Sequence, residues 1–413
     1  MAADVPPGLD LGWSLHCQTC RARFPFGPMV RGCPDCAARG EVGLLELQRA
    51  SLAPPAPRTG RGLSRWLDML PLPNRSDFLS LGEGGTALVP SRVIGKRLGV
   101  PELYFKLEQQ NPTHSFKDRF VAVSMNAARA FGFRRVVVSS TGNLALSVAA
   151  YAAAAEMGCT IIVPRGLPAN ILAEANLYGA RVAVIDRDLR FAALEAVSRQ
   201  PDWFPLGLFL PRRVQNPFGV EGYRTFAYEV VEELEIAPAA MLFPCARGNG
   251  LYGAYKGFLD CRDAGWTTSL PRLVAAQPQG ANSLEVSLCR DASEAIELPP
   301  FDSVAKSTSE TVGSDDALRG IRHTGGTAVS AGEDAIRAAV VALGEEGLNV
   351  EAGSALPIAC LPQLRDRGLL AGGPVVCVLT ATGLRWPEQA AWVHPRVTEV
   401  ASVDAFTSLL DAS

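Results

Sequence analysis

Residues 134–158, RRVVVSSTGNLALSVAAYAAAAEMG, join a run of valines to an alanine-rich stretch through SSTGN. Adjacent β-branched residues bounded by small polar ones predict a buried strand, and the apolar run after them is long enough for a helix. The pattern recurs. CTIIVP (159–164) precedes NILAEANLYGA, RVAVID (181–186) precedes another helical stretch, and AAMLFPC (239–245) precedes LYGAYKGFLDCRDAG. RLVAAQ (272–277) and VVCVLT (375–380) add further strands. Strand–helix alternation on this scale implies an α/β fold, with parallel sheets covered by helices on both faces and ligands gathered at the carboxyl ends of strands.

The chain has 413 residues, 48% of them hydrophobic and 20% charged, enough for two or three domains with a sizeable core. Its net charge of −3 and lack of a basic block argue against a nucleic-acid partner. No run of eighteen apolar residues occurs, and MAADVPPGLDLGW has neither a positive nor an apolar region. A cytoplasmic protein with no membrane partner is expected. Six of the ten cysteines, Cys159, Cys245, Cys261, Cys289, Cys360 and Cys377, stand singly in apolar surroundings, as reduced core cysteines do.

The other four lie together in HCQTCRARFPFGPMVRGCPDC, as Cys17-x2-Cys20 and Cys33-x2-Cys36. Paired CxxC units suit a tetrahedral, structural zinc ion, with two disulfides or a vestigial site as the rival readings. Four thiolates leave zinc no open position, so no chemistry is expected there. The expected layout is a zinc-ribbon-like segment at 1–49 and a Pro/Arg/Gly-rich linker at 50–75. The α/β body would run from 76 to 395, with a smaller subdomain at roughly 119–213 inserted in a larger one, and a tail would follow at 396–413.

Lysine is scarce: only Lys96, Lys106, Lys117, Lys256 and Lys306 occur. Lys117 lies in NPTHSFKDRF (111–120). Arginine keeps its proton, but a desolvated lysine can lose it and become a nucleophile, so Lys117 is a Schiff-base candidate. A helix-start charge paired with Asp118 is the plainer reading. SSTGN, Ser139 to Asn143, offers either an anion cradle at a helix N-terminus or a simple Ser/Thr cap. CARGNGLYG (245–253) contains Gly248, Gly250 and Gly253 in dinucleotide-binding spacing, but the next strand ends in Gln277 instead of an acid. A nicotinamide dehydrogenase is therefore disfavoured, and a loop for one phosphate is preferred. LTATGL (379–384) is a third loop at a strand end, or only a turn. One electrophilic cofactor with a single phosphate, captured by a lysine, would use all three loops. Pyridoxal phosphate is such a cofactor.

These stretches resemble the threonine synthase branch of the fold-type II pyridoxal-phosphate enzymes. NPTHSFKDRF is similar to that branch's NPTGSFKDR, LGEGGTALV (81–89) to LGEGNTPL, and SSTGNLALSVAAYAA to its STGN helix. NPFGVEGYRT (216–225) resembles NPYRxEGQKT, EAGSA (351–355) resembles EPASA, and LTATGLRWP (379–387) resembles LTGHGLKDP. Several branch members also carry an N-terminal segment with two CxxC pairs. The resemblance implies two parallel-sheet subdomains around the cofactor, with Lys117 as its covalent anchor flanked by Phe116 and Asp118. Asn143 would bond the cofactor's 3-hydroxyl. Residues 246–250 (Ala246, Arg247, Gly248, Asn249 and Gly250) would hold its phosphate, and Thr380 would face its ring nitrogen. Ser140, Thr141 and Gly142 would take the carboxylate of an amino-acid substrate. Elimination and replacement at the β or γ carbon of an activated, O-phospho amino acid is the implied chemistry. Branch members are often dimeric, which extends the expectation of a homodimer to this chain.

The departures gather on the substrate side. The family's arginine after NPY is Gly219, while Arg212 and Arg213 stand ahead of NPF, and Arg213 is a candidate substrate contact. The family's glycine before SFKD is His114, either a space-filling residue or a substrate contact able to shuttle protons near neutrality. Arg247 replaces an asparagine of the phosphate loop, and Thr382 replaces a histidine. A specialised paralogue is therefore expected, of the kind that cysteate synthase represents in adding sulfite to O-phosphoserine. A non-catalytic binding protein is the remaining alternative.

Overall fold

Four parallel strands form the smaller sheet, in the order Arg181–Val184, Gly158–Val163, Arg135–Ser139, Trp203–Pro205. The computed structural model describes residues 12–50, 59–72, 77–209, 214–393, 398–404, 406 and 407. The larger sheet has the order Thr327–Ala331, Arg272–Pro278, Ala240–Pro244, Val375–Leu379, Leu103–Leu107, Leu88–Pro90, and only the last strand runs antiparallel. Its central strands Ala240–Pro244 and Val375–Leu379 are buried at every position, which explains their unbroken apolar sequence.

The helix Asn143–Ala154 packs on the smaller sheet and against the helix Lys117–Ala130. Its alanines let backbones approach closely, and nine of its twelve residues are buried. In the first turn of the Lys117 helix, Arg119 is fully buried. It donates to Glu108 at 2.8 Å and to both oxygens of Glu229 at 2.5 and 2.7 Å, while Lys106 pairs with Glu229 at 2.8 Å. Losing one member of such a set strands a buried charge, at a cost of about 3–5 kcal/mol. The NPFGVEG motif is built into the same core. Asn216 caps the helix Pro217–Gly222 by accepting from the Phe218 and Gly219 amides, and Glu221 pairs with Lys256 and Arg224 at 2.5 Å each.

The cysteine-bearing segment is a three-stranded antiparallel sheet, Arg23–Pro25, Trp13–Cys17, Leu45–Arg49. The metal-ligand candidates Cys17, Cys20, Cys33 and Cys36 are all free thiols with their sulfurs within 4.8 Å of one another. Two of those separations, Cys17–Cys36 and Cys20–Cys33, are 3.6 Å. Four sulfurs on a zinc ion at about 2.3 Å lie about 3.8 Å apart, so the set fits a structural zinc. Gly43 makes room for it: a β-carbon there would stand 2.6 Å from that of Cys33. Glu46, on the third strand, accepts from the Tyr252 hydroxyl at 2.6 Å and pairs with Lys256 at 3.3 Å and Arg319 at 3.5 Å. Burial alone would raise the Glu46 carboxyl, but those cations and the hydroxyl hold it down at about 2.

Two expectations change. Part of the presumed linker is a 3-10 helix, Gly62–Met69, whose Leu63, Trp66 and Met69 are buried, with Trp66 against the rings of Tyr228 and Trp266. The three-residue spacing of those apolar side chains outweighs the Pro/Arg/Gly composition around them. Cys289 is exposed, not a core cysteine, because it ends the helix Ser283–Cys289 just before Arg290 and Asp291. Among the described residues no helix is long and apolar enough to cross a membrane.

Candidate active site

The loops that carry Lys117 and Thr380 are tied together by their backbones. The Phe116 amide donates to the Thr380 carbonyl at 2.9 Å, Ser115 bridges Ala381, and the Thr382 amide donates to the His114 carbonyl at 3.1 Å. Lys117 begins its helix at the edge of a cavity of about 240 Å³ between the two sheets. Its Nζ lies 4.2 Å from the centroid of the Phe116 ring, which stacks on Tyr223 at 5.1 Å. Burial pushes the Lys117 amine down to about 8, although Glu351 and Glu310 pull it the other way. Thr380 is buried beside it, with its hydroxyl 2.9 Å from that of Ser354. The side-chain partner of Thr380 is thus a hydroxyl and not a carboxylate.

Two helix N-termini open into the same space. The Asn143–Ala154 helix starts at Gly142 with no side-chain cap, so Ser140 and Thr141 are cavity-lining residues and not helix caps. The Asn249–Asp263 helix starts at Gly248, which holds a left-handed φ of 88° and also lacks a side-chain cap. Ala246, Arg247, Gly248, Asn249 and Gly250 all line the cavity, and a β-carbon on Gly250 would stand 2.9 Å from the Phe116 ring. Uncapped N–H groups reinforced by a helix dipole form an anion site. Buried polar atoms lacking partners also cluster here: Ser139 Oγ, Arg190 Nε, Gln215 Oε1 and Asn249 Oδ1. A depressed lysine, an uncapped glycine loop and unsatisfied polar atoms in one cavity fit a phosphorylated carbonyl cofactor.

Asn143 is held in place from two sides. Its Nδ2 donates to Glu351 at 3.1 Å, and its Oδ1 accepts from Arg385 at 3.1 Å. Glu351 also accepts from Ser307 at 2.6 Å and from the Trp386 indole at 3.1 Å. Arg385 in turn grips Glu174 with two bonds of 2.6 and 3.1 Å.

The structure thus brings together Phe116, Lys117, Ser140, Thr141, Gly142, Asn143, residues 246–250 and Thr380. His114 is not among them. It is exposed, its ring nitrogen lies 3.4 Å from the Gln109 carbonyl, and its backbone has a left-handed φ of 57°. A backbone constraint explains the family's glycine at that position, and a substrate contact does not. Arg213 lies outside the described residues. Gly253, the last glycine of the dinucleotide-binding spacing, and Gln277, which stands where that motif needs an acid, do structural work. A β-carbon on Gly253 would overlap Tyr223, and Gln277 Oε1 accepts the Leu284 and Glu285 amides. Glu351, Trp386 and Arg385 went unassigned from sequence although EAGSA and LTATGLRWP contain them. Arg190, Gln215 and Glu310 carry no local signal at all.

Comparison with known proteins agrees with this geometry. A model of the family described as pyridoxal-phosphate dependent enzyme matches residues 79–381. The chain belongs to that family. The enzyme is 32% identical over 335 residues to the threonine synthase of Methanocaldococcus jannaschii, covering 80% of this chain and 82% of that one. The threonine synthase of Methanosarcina acetivorans is 29% identical over 407 residues, covering 95% and 97%. Among solved structures, maize serine racemase superimposes with a TM-score of 0.65 at 18% identity, covering 79% of this chain and 93% of its own. That likeness shows the fold-type II architecture. The enzyme is a lyase-type, threonine synthase-like member of the family.

Proposed function

We propose that the enzyme eliminates and replaces the leaving group of an O-phospho amino acid, releasing phosphate from the β or γ carbon as in threonine synthase. The observation that carries the reading is the placement of a depressed lysine, two uncapped helix N-termini and a neutral hydroxyl pair around one cavity. Pyridoxal phosphate, when bound, supplies an electron sink for the amino acid attached to it. Lys117 would anchor it, Asn143 would bond its 3-hydroxyl, and residues 246–250 would hold its phosphate.

The chain's own groups do the rest. An amine that titrates near 8 both takes and returns a proton at ordinary pH, so Lys117 Nζ serves as the base at the substrate's α-carbon. The amides at Ser140, Thr141 and Gly142 fix the substrate carboxylate. Phe116 and Tyr223 wall off water. Thr380, backed by the Ser354 hydroxyl, would be the residue facing the ring nitrogen, which would then lack the acidic partner that keeps it protonated. That moderates electron withdrawal and favours loss of a leaving group over deeper carbanion chemistry. The four cysteines would hold a structural zinc, which would brace the segment carrying Glu46.

Phosphate release tests the reading. Cofactor-loaded enzyme should liberate inorganic phosphate from O-phospho-L-homoserine or O-phospho-L-serine, with the responsive substrate naming the γ or β carbon. Release from neither, alongside turnover of unphosphorylated L-serine or L-threonine, would replace it with a deaminase reading.

A further inference from the structure

The cavity cations differ in how fully they are committed. Of those lining it, Lys306 pairs with Asp302, and Arg247 donates to the Val312 carbonyl at 3.5 Å. Arg190 makes no hydrogen bond or ion pair with any described residue, and its Nε is buried without a partner. Its guanidinium lies over the Phe191 ring, 4.4 Å from the centroid. Both residues stand at the start of the helix Arg190–Ser198, which packs on the smaller sheet. Gln215, whose Oε1 is also orphaned, lines the same cavity. A partly buried guanidinium with no hydrogen-bonded acceptor is costly, and an oxyanion entering the cavity would offset that cost.

A second observation concerns position 219, where the related motif carries an arginine. A β-carbon on Gly219 would overlap the Phe120 ring, and Phe120 itself lines the cavity. No cation can stand there while Phe120 keeps its place. Glu310, which also lines the cavity, carries no described hydrogen bond or ion pair, and it is close enough to act electrostatically on both Lys117 and Arg190. A negative charge there opposes any anion that Arg190 holds.

We propose that Arg190 is the specificity residue of this enzyme: it receives the distal oxyanion of the substrate side chain, with Glu310 limiting how tightly that anion is held. The assignment rests on the proposed O-phospho amino-acid reaction. The distal group is an oxyanion, phosphoryl or carboxylate, and comparing O-phospho-L-serine with L-aspartate separates the two sources.

The test is a visible-absorption titration of cofactor-loaded enzyme with O-phospho-L-serine, O-phospho-L-homoserine, L-aspartate and L-serine. The readout is the ratio of the best anionic ligand's affinity to that of L-serine. Arg190→Ala should lower the ratio about 30-fold, and Arg190→Lys should restore part of it, since lysine keeps the charge but lacks the fork. Glu310→Gln should shift it the opposite way, strengthening the anionic ligand about threefold. Arg199→Ala, an exposed partner of Glu195 near the end of the same helix, should change nothing. An unchanged ratio in Arg190→Ala, with the unsubstituted enzyme preferring the anion, would overturn the role of Arg190 alone. A weakening of pyridoxal phosphate itself in Arg190→Ala would also overturn it, by moving the arginine to the cofactor. No preference for any anionic ligand in the unsubstituted enzyme would overturn the proposed reaction together with this assignment.

Discussion

Asn143 donates to the Glu351 carboxylate at 3.1 Å, joining the helix that covers the smaller sheet to the residue that opens a helix on the larger one. The two halves of the enzyme therefore meet through a hydrogen bond at the floor of the cavity. Arg385 completes the join by holding Asn143 and Glu174 at once.

Removing that clasp should disturb catalysis without abolishing it. Hydrogen bonds to charged groups contribute about 1.5–3 kcal/mol each. Arg385→Ala is expected to lower kcat/KM at least tenfold, with Arg385→Lys intermediate, while the cofactor still binds. Steady-state kinetics beside a cofactor titration checks this. An unchanged kcat/KM would mean that the clasp is decorative.

The depressed Lys117 amine fixes a pH dependence. Only the unprotonated amine attacks a carbonyl, and its fraction rises as pH passes through about 8. The rate at which cofactor-free enzyme captures pyridoxal phosphate should climb between pH 6 and 8 and level off above that. Stopped-flow absorbance gives the profile. A rate still climbing steeply at pH 10 would show an ordinary, undepressed lysine.

His114 tests the difference between a backbone and a chemical role. A left-handed conformation costs a side-chain-bearing residue about 1–2 kcal/mol, part of which glycine returns through its looser unfolded chain. His114→Gly should therefore leave stability equal or raise it by up to about 1 kcal/mol in urea unfolding, and change kcat/KM by less than about threefold. A tenfold loss of activity would restore the substrate contact suggested by the sequence.

Glu46 joins the cysteine segment to the helix Asn249–Asp263. Its folded carboxyl titrates near 2 against an ordinary 4.5, so its contribution to stability is complete above pH 4.5 and lost as pH falls toward 2. Glu46→Gln should cost about 3 kcal/mol near neutrality and flatten the acid limb of the stability curve. Zinc content measured on the same variant should equal that of the unsubstituted enzyme, since the thiols are untouched.

The parts of the site that lie at strand ends next to their own helices could be read from sequence, because strand, loop and helix are contiguous there. Lys117, the SSTGN loop, residues 246–250 and Thr380 are of this kind. Glu351 and Arg385 sat in recognisable motifs, yet their roles arise from pairing across the cavity, which spacing cannot express. Arg190 and Gln215 reach it from a helix start and a two-residue strand with no motif at all. His114 misled for a different reason. Histidine suggests proton transfer, whereas a positive φ is a property of the folded backbone and leaves no mark in one sequence.

The most direct test of the central claim is borohydride reduction of the cofactor-loaded enzyme, followed by peptide mapping. The account predicts one pyridoxyl group per chain, on Lys117, with none on Lys306 or Lys256 and none in Lys117→Ala. Attachment to another lysine, or no attachment, would contradict it.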